Sequence, residues 1–300
     1  MNKLTASLLV LLAGASFGIL STMVKLAYGQ GFSVADVTSS QLVFGCLGLW
    51  IISLPRLGGL RHLSWQTVLK LLVSGIFPGL TGVFYYLSLQ TLSASLAVIL
   101  LFQFVWMSIL LDWFIRRKPL TQNQWIALIC VVAGTVLAGG YEALTKGSFD
   151  LVGISFALLA ACSYTGNISV SGRVAVEVPA SLRSTLMMTG ATLITICIFP
   201  PTFIATGALE QGLWVWMVLL GIFGVIIPPF LFTLGIPPIG PAMAAILSSI
   251  ELPVATTLSA LVLSEKVTLS QWGGVMLILI GIFISEQRLQ LRKRLRRRLV

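Results

Sequence analysis

Nine acidic residues and one histidine are spread over the 300 positions, and one of the acids is chemically out of place. Glu251 lies at the midpoint of an apolar run over 239–263, where a charged side chain costs about 2.5 to 3.5 kcal/mol on insertion scales. Two roles would offset that cost. A carboxyl that takes up and releases a proton as a cavity opens to each side is a coupling acid. One that stays protonated and bonds a neighbouring helix, through Ser248, Ser249 or backbone freed by Pro253, is structural.

Other polar and aromatic residues interrupt apolar runs, and each has a functional and a structural reading. Gln103 with Trp106 and the pair Tyr85-Tyr86 suit the wall of a cavity or ordinary packing. Tyr164 and Asn167, with Ser163 and Thr165, and Ser16, Ser21 and Thr22 nearer the N-terminus, suit a binding site or hydrogen bonds that join helices. Lys25 can hold a substrate carboxylate or snorkel to the nearby interface.

Catalysis by the chain itself is poorly served. A membrane-embedded enzyme needs converging His, Asp, Glu or Cys, yet His62 sits in a loop beside Arg61, and Asp112 has Arg116 four places on as its natural partner. The four cysteines, Cys46, Cys130, Cys162 and Cys197, form no CxxC pair and read as buried small apolar residues. No catalytic residue, metal site or cofactor is expected. A phosphate-binding Gly-rich loop ending in Lys is absent, so ATP is not the direct driver.

What must position these residues is a set of membrane helices. Hydrophobic residues make up 57% of the chain and charged ones 9%, against about 25% charged in soluble domains. Apolar runs long enough to cross a core of about 30 Å recur along the chain. They predict ten helices, near 5–27, 37–54, 67–89, 93–115, 121–139, 150–172, 182–203, 212–234, 239–263 and 269–286. The first resembles a signal peptide only until its apolar stretch continues through Val24.

Charge placement orients them. With the N-terminus inside, sixteen of the nineteen basic residues fall on the cytoplasmic side, including seven from Arg288 to Arg298, while Lys146 and Lys266 fall outside and Lys25 within a helix. Both termini are expected to be cytoplasmic, in a bacterial-type inner (plasma) membrane. The basic tail follows a helix directly, so anionic lipid is its expected partner and nucleic acid is not.

The halves also repeat. Gln124-Trp125 recurs as Gln271-Trp272, Thr121 as Thr268 and Gly134 as Gly281, an offset of 147 positions. Ala15-Ser16-Phe17-Gly18 overlays Cys162-Ser163-Tyr164-Thr165 in the same frame, and Gly75-Ile76-Phe77 matches Gly221-Ile222-Phe223 at 146. Five helices per half is odd, so the second half enters the membrane upside down. The fold class is an all-α polytopic membrane protein of two inverted five-helix repeats, 1–145 and 146–287, with a tail over 288–300. Prolines pair up as well, Phe77-Pro78-Gly79 in helix 3 and Ile227-Pro228-Pro229 in helix 8, and Ile236-Pro237-Pro238 stands before helix 9. Such paired interruptions mark moving transporter helices.

The stretches Glu251-Leu252-Pro253-Val254, Ser264-Glu265-Lys266-Val267-Thr268 and Gln271-Trp272-Gly273-Gly274 resemble the closing signature of the EamA-like branch of the drug/metabolite transporter superfamily. A degraded copy ends the first half at Pro119-Leu120-Thr121 and Gln124-Trp125. Two features depart from the pattern: Leu252 splits the usual Glu-Pro pair, and Arg117-Lys118 replaces the loop acid before helix 5. The resemblance implies a transporter that alternates access to a central cavity, exporting amino acids, metabolites or drugs on a proton or substrate gradient, as a monomer or homodimer. A lipid flippase or a structural membrane protein is the alternative. Tags on the two chain ends are expected to be accessible from the same side of the membrane; opposite sides would refute the even span count.

Overall fold

The computed structural model describes residues 2–116, 122–146, 150–171, 174–175, 177–239, 244 and 247–298. Every regular element among them is helical. In chain order they are α1 (Lys3–Gly29), α2 (Val34–Ser53), α3 (Trp65–Ser74), α4 (Ile76–Ser88), α5 (Ala94–Leu101), α6 (Phe104–Arg116), α7 (Gln122–Lys146), α8 (Leu151–Ser171), α9 (Ala180–Ile198), α10 (Trp214–Leu220), α11 (Ile227–Ile239), α12 (Glu251–Val262) and α13 (Leu269–Arg298). Serine side chains start several of them: Ser33, Ser64 and Ser93 accept from the backbone N–H three residues on, at 3.1, 3.2 and 3.2 Å. Each bond satisfies one of the donors that a helix start leaves open.

Among the described residues, seven helices are long and apolar enough to cross a membrane, and three shorter apolar ones, Gln122–Ala138, Glu251–Val262 and Leu269–Ile284, accompany them. The outer surface carries Trp65, Phe114, Val136, Leu261 and Leu269, all exposed. The interior holds Ser39, Ser40, Gln41, Ser53, Thr185 and Gln271. A surface this apolar around a partly polar interior suits lipid as solvent. The same logic corrects the cysteines: Cys46 is buried, but Cys162 and Cys197 are exposed, because a small apolar group pays no penalty for facing lipid.

The helices break at matching places. α3 gives way to α4 at Gly75, and at the matching Gly221 the chain turns π-helical over Gly221–Ile226 before α11. A second pair of breaks, not foreseen from prolines, separates α5 from α6 and precedes α12. Gln103 N–H bonds Leu100 O and Val105 N–H bonds Phe102 O, both at 3.1 Å; Ile250 N–H bonds Leu247 O at 3.3 Å and Leu252 N–H bonds Ser249 O at 3.1 Å. These are the same bonds 147 positions apart. The expected continuous helix over 239–263 is therefore corrected: the chain turns at Ser249-Ile250 and α12 starts at Glu251. Pro253 has no N–H for Ser249 O, and Leu252 N–H takes that carbonyl instead. Helix 8 also extends further than expected, with α11 running through Ile239.

Contacts between the halves come in exchanged pairs. Ser16 Oγ donates to Phe223 O at 2.6 Å, and its counterpart Ser163 donates to Phe77 O, the counterpart of Phe223, at 2.8 Å. A Cβ on Gly134 would lie 2.7 Å from Gly274 O, and one on Gly281 would lie 3.1 Å from Ala127 O. At Gly75 the close atoms are Met187 O and Ala191 N; at Gly221 they are Gln41 O and Gly45 N. Helix α7 thus lies along α13, α1 against α11 and α12, and α8 against α4 and α5–α6.

The residues 117–121 and Gly240-Pro241 lie outside the described residues, as do the side chains of Arg61, His62, Asp112, Arg116 and the tail from Arg288, so the expectations placed on them stand as sequence readings. A Cβ on Gly190 would clash with Leu72 O, whereas one on Gly82 meets nothing within 4 Å. Overpacking costs about 1 to 3 kcal/mol, so Gly190→Ala is expected to lower the thermal midpoint in detergent while Gly82→Ala leaves it unchanged or higher; equal midpoints would refute the close α3–α9 contact.

Candidate functional site

Gly14, Gly18, Ser21 and Lys25 fall on one stripe of α1, spaced four, three and four residues apart. The two glycines let the chain around the second helix break come against the α1 backbone. A Cβ on Gly14 would lie 2.6 Å from Ser248 O, and one on Gly18 would lie 2.8 Å from Glu251 O. Ser248 thus meets α1 through its backbone, and Glu251, partly buried, opens α12 beside Gly18.

Two tyrosines share the electrostatic neighbourhood of this carboxyl. Tyr85 of α4 and Tyr164 of α8 both lie close enough to Glu251 to feel its charge. Tyr164 packs edge-on against Phe104, ring centroids 4.7 Å apart at 83°. Phe104 is the counterpart of Glu251 in the first half, 147 positions earlier, and Thr165 Oγ1 reaches Phe104 O at 3.4 Å just as Gly18 meets Glu251 O. The site is built from α1, α4, α8 and the second segments of both broken helices.

Next to Tyr85, the buried hydroxyl of Ser21 makes no well-formed hydrogen bond among the described residues, and neither does that of Thr22. A buried donor left open costs about 1 to 3 kcal/mol, so Ser21 is a candidate contact for a polar ligand. Lys25 lies one turn beyond it, partly buried. Asn167 is partly buried one turn from Tyr164 on α8.

Other sequence candidates are occupied elsewhere. Ser16 spends its hydroxyl on Phe223 O. Gln103 Nε2 donates to Ile99 O at 3.1 Å and to Thr135 Oγ1 at 2.5 Å, and its Oε1 accepts from Trp106 Nε1 at 2.8 Å. Ile99 O is the carbonyl that Gln103 N–H abandons by bonding Leu100 O, so the side chain closes the gap its own backbone opens. Gln41 was not singled out from sequence: Tyr86 donates to its Oε1 at 2.5 Å, and Tyr28 donates to Tyr86 O at 3.0 Å, joining α1, α2 and α4. A carboxamide within the apolar run of α2 was the available signal. Among the described residues no group of three or more His, Cys, Asp or Glu is gathered.

The model of the EamA-like transporter family matches residues 4–140 and again 151–286. The chain belongs to the EamA-like transporter family. Membership in the drug/metabolite transporter superfamily follows. This EamA-like protein is also similar to the uncharacterized transporter YwfM of Bacillus subtilis (strain 168), 24% identical over 283 residues that cover 93% of this chain and 92% of the relative. A solved crystal structure matches with a TM-score of 0.66 at 18% identity, covering 95% of this chain and 97% of that one, which bears on fold alone. The EamA-like chain is a multi-pass membrane transporter, and a small-molecule substrate is what such a protein binds.

Gln103→Ala in this EamA-like transporter is expected to cost about 1 to 3 kcal/mol of stability by stranding Ile99 O and the Trp106 indole N–H. Unaltered thermal stability together with weakened substrate binding would overturn the bracing role and return Gln103 to the cavity wall.

Proposed function

We propose that this protein is a secondary transporter exporting amino-acid-like or related small metabolites by alternating access, with Glu251 as the coupling acid. The observation that carries the reading is the place of that carboxyl: at a helix break, with its backbone against Gly18 of α1 and its charge felt by Tyr85 and Tyr164. A carboxyl there can exchange its proton for the ammonium of a substrate, while tyrosine and serine hydroxyls supply donors and acceptors for its other polar groups. Discontinuous helices at matching positions of two repeats are where transporters place substrate and ion sites.

Ten spans in two inverted repeats, 1–145 and 146–287, complete this reading. The exchanged contact pairs support a two-fold relation, and an odd number of spans per half inverts one against the other. Both termini then face the cytoplasm at the inner membrane, and the tail over 288–300 lies against anionic lipid, each basic residue contributing about 1 kcal/mol near the surface.

One feature favours a lipid-handling alternative. A groove of about 370 Å³ between α1, α12 and α13 is lined by Leu11, Ile250, Pro253, Met276 and Phe283, and Met276 and Phe283 are exposed on the outside of the bundle. A lipid substrate would enter there. Uptake into liposomes across an amino-acid, amine and lysolipid panel, with and without a pH gradient, separates the readings. Glu251→Gln is expected to lower gradient-driven uptake at least about tenfold. Normal, still pH-sensitive transport by Glu251→Gln would end the coupling role, and uptake confined to lysolipids would favour the lipid reading.

A further inference from the structure

The carboxylate of Glu265 ties the two halves together at one end of the bundle. Its Oε1 accepts from Ala94 N–H at 2.8 Å, and its Oε2 accepts from Ser95 N–H at 3.4 Å and from Ser95 Oγ at 3.2 Å. Ser259 Oγ donates to the same Oε2 from within α12. Ala94 and Ser95 are the first two residues of α5, whose orphan N–H groups and dipole favour an anion, and Ser93 takes the third donor, Leu96 N–H, at 3.2 Å. The carboxylate reaches this place because the chain doubles back after α12: Ser264 adopts a left-handed φ of 54°, and Glu265 N–H returns to Ser259 O at 3.2 Å. A non-glycine residue in that region is strained, and strain kept in a connecting loop points to a task for the loop.

The bonded elements bracket the cleft. From the clasp, α5 runs eight residues to the break before Phe104 and α12 runs back twelve residues to Glu251, so the clasp lies between the candidate site and this end of the bundle. Parting α5 of the first half from α12 of the second is the movement that would open the site here. Glu265 holds them together.

The two-fold relation that repeats other contacts does not repeat this one. At an offset of 147, Glu265 corresponds to Lys118, and Ala94 to Pro241. A lysine ammonium has no lone pair to accept an N–H, and a proline has no N–H to give. The opposite end therefore cannot form a matching clasp, whatever the positions of those residues.

We propose that Glu265 is a one-sided clasp that holds the transporter closed at the end where α5 begins and α12 finishes, so that the resting protein opens to the other face. This rests on the alternating-access reading and adds a direction to it: under the topology above, the resting site faces the cytoplasm, as loading for export requires.

The test uses the full chain with its four cysteines replaced, reconstituted in vesicles and carrying Ser21→Cys as a reporter in the site. A second version with Lys266→Cys, an exposed position beside the clasp, marks the clasped face independently of any assumed topology. A charged, membrane-impermeant thiol reagent is applied to each face in turn, without substrate or gradient. In the Glu265 parent, the reporter is expected to react from the unclasped face. Glu265→Gln is expected to raise its reaction rate from the clasped face at least about tenfold, with Glu265→Asp between the two. An unchanged rate from the clasped face, in a Glu265→Gln protein that elutes as the parent does, overturns the proposal. If Glu265→Gln does not fold, the pair Ser95→Ala and Ser259→Ala removes two hydroxyl donors and leaves the acid; faster labelling from the clasped face supports the clasp and unchanged labelling overturns it. Because labelling needs no transport, raised accessibility without transport in any assay would count against the transport reading alone.

Discussion

Lipid gives apolar helices little reason to prefer one another over acyl chains, so contact between backbones becomes a main adhesive of a membrane bundle. In this protein that contact is made where glycine removes the side chain from between two helices. Gly14 and Gly18 bring α1 against the chain leading into α12, Gly75 and Gly190 bring the third helix against α9, and Gly134 and Gly274 face each other across α7 and α13. The same close approach that holds the bundle also brings the Glu251 backbone against α1, so packing and site share one cause.

A second constraint shapes what happens at the breaks. Inside lipid every backbone carbonyl and N–H needs a partner within the protein, and both broken helices turn through the same pair of backbone bonds. Before Phe104 the freed Ile99 carbonyl is taken by the Gln103 side chain. Before Glu251 the same turn recurs, Ile250 N–H bonding Leu247 O and Leu252 N–H bonding Ser249 O, with an isoleucine where the first half has Gln103. The first half thus places a carboxamide at the turn that serves its own backbone, while the second places a carboxyl one position further on, where the first half has Phe104. A near-symmetric scaffold acquires one chemically distinct centre by this difference. The loop after α12 shows the same divergence, with Glu265 closing a contact that Lys118 and Pro241 cannot form.

Much of this was legible in the order of residues. The apolar runs announced a helical membrane protein, and the spacing of Gln124-Trp125 and Gln271-Trp272 disclosed the repeat. The Ser16–Ser163 correspondence proved more informative than its weak similarity suggested, since both serines bond the matching phenylalanine carbonyl. The breaks at Phe102-Gln103 and Ser249-Ile250 escaped notice because no proline marks the first, and a proline in the first turn of a helix reads as harmless. Gln103 and Trp106 fitted a cavity wall and ordinary packing equally, because polarity in an apolar run has the same sequence signature whether it serves a substrate or an unpaired carbonyl. Cys162 and Cys197 looked buried because a small apolar residue is equally at home in a core or against lipid.

Composition, hydropathy and repeat spacing by themselves determined the solvent, the helical class and the doubling of the chain, since each depends on transfer free energy summed along a local stretch. The tertiary structure alone decided which polar groups meet: that Glu251 lies among Tyr85, Tyr164 and Gly18, that Ser16 and Gln103 are already engaged, and that Glu265 reaches back across 170 positions to the start of α5. Hydrogen bonds and close backbone contacts act over a few ångströms between segments far apart in sequence, and no local pattern encodes which distant segment will arrive.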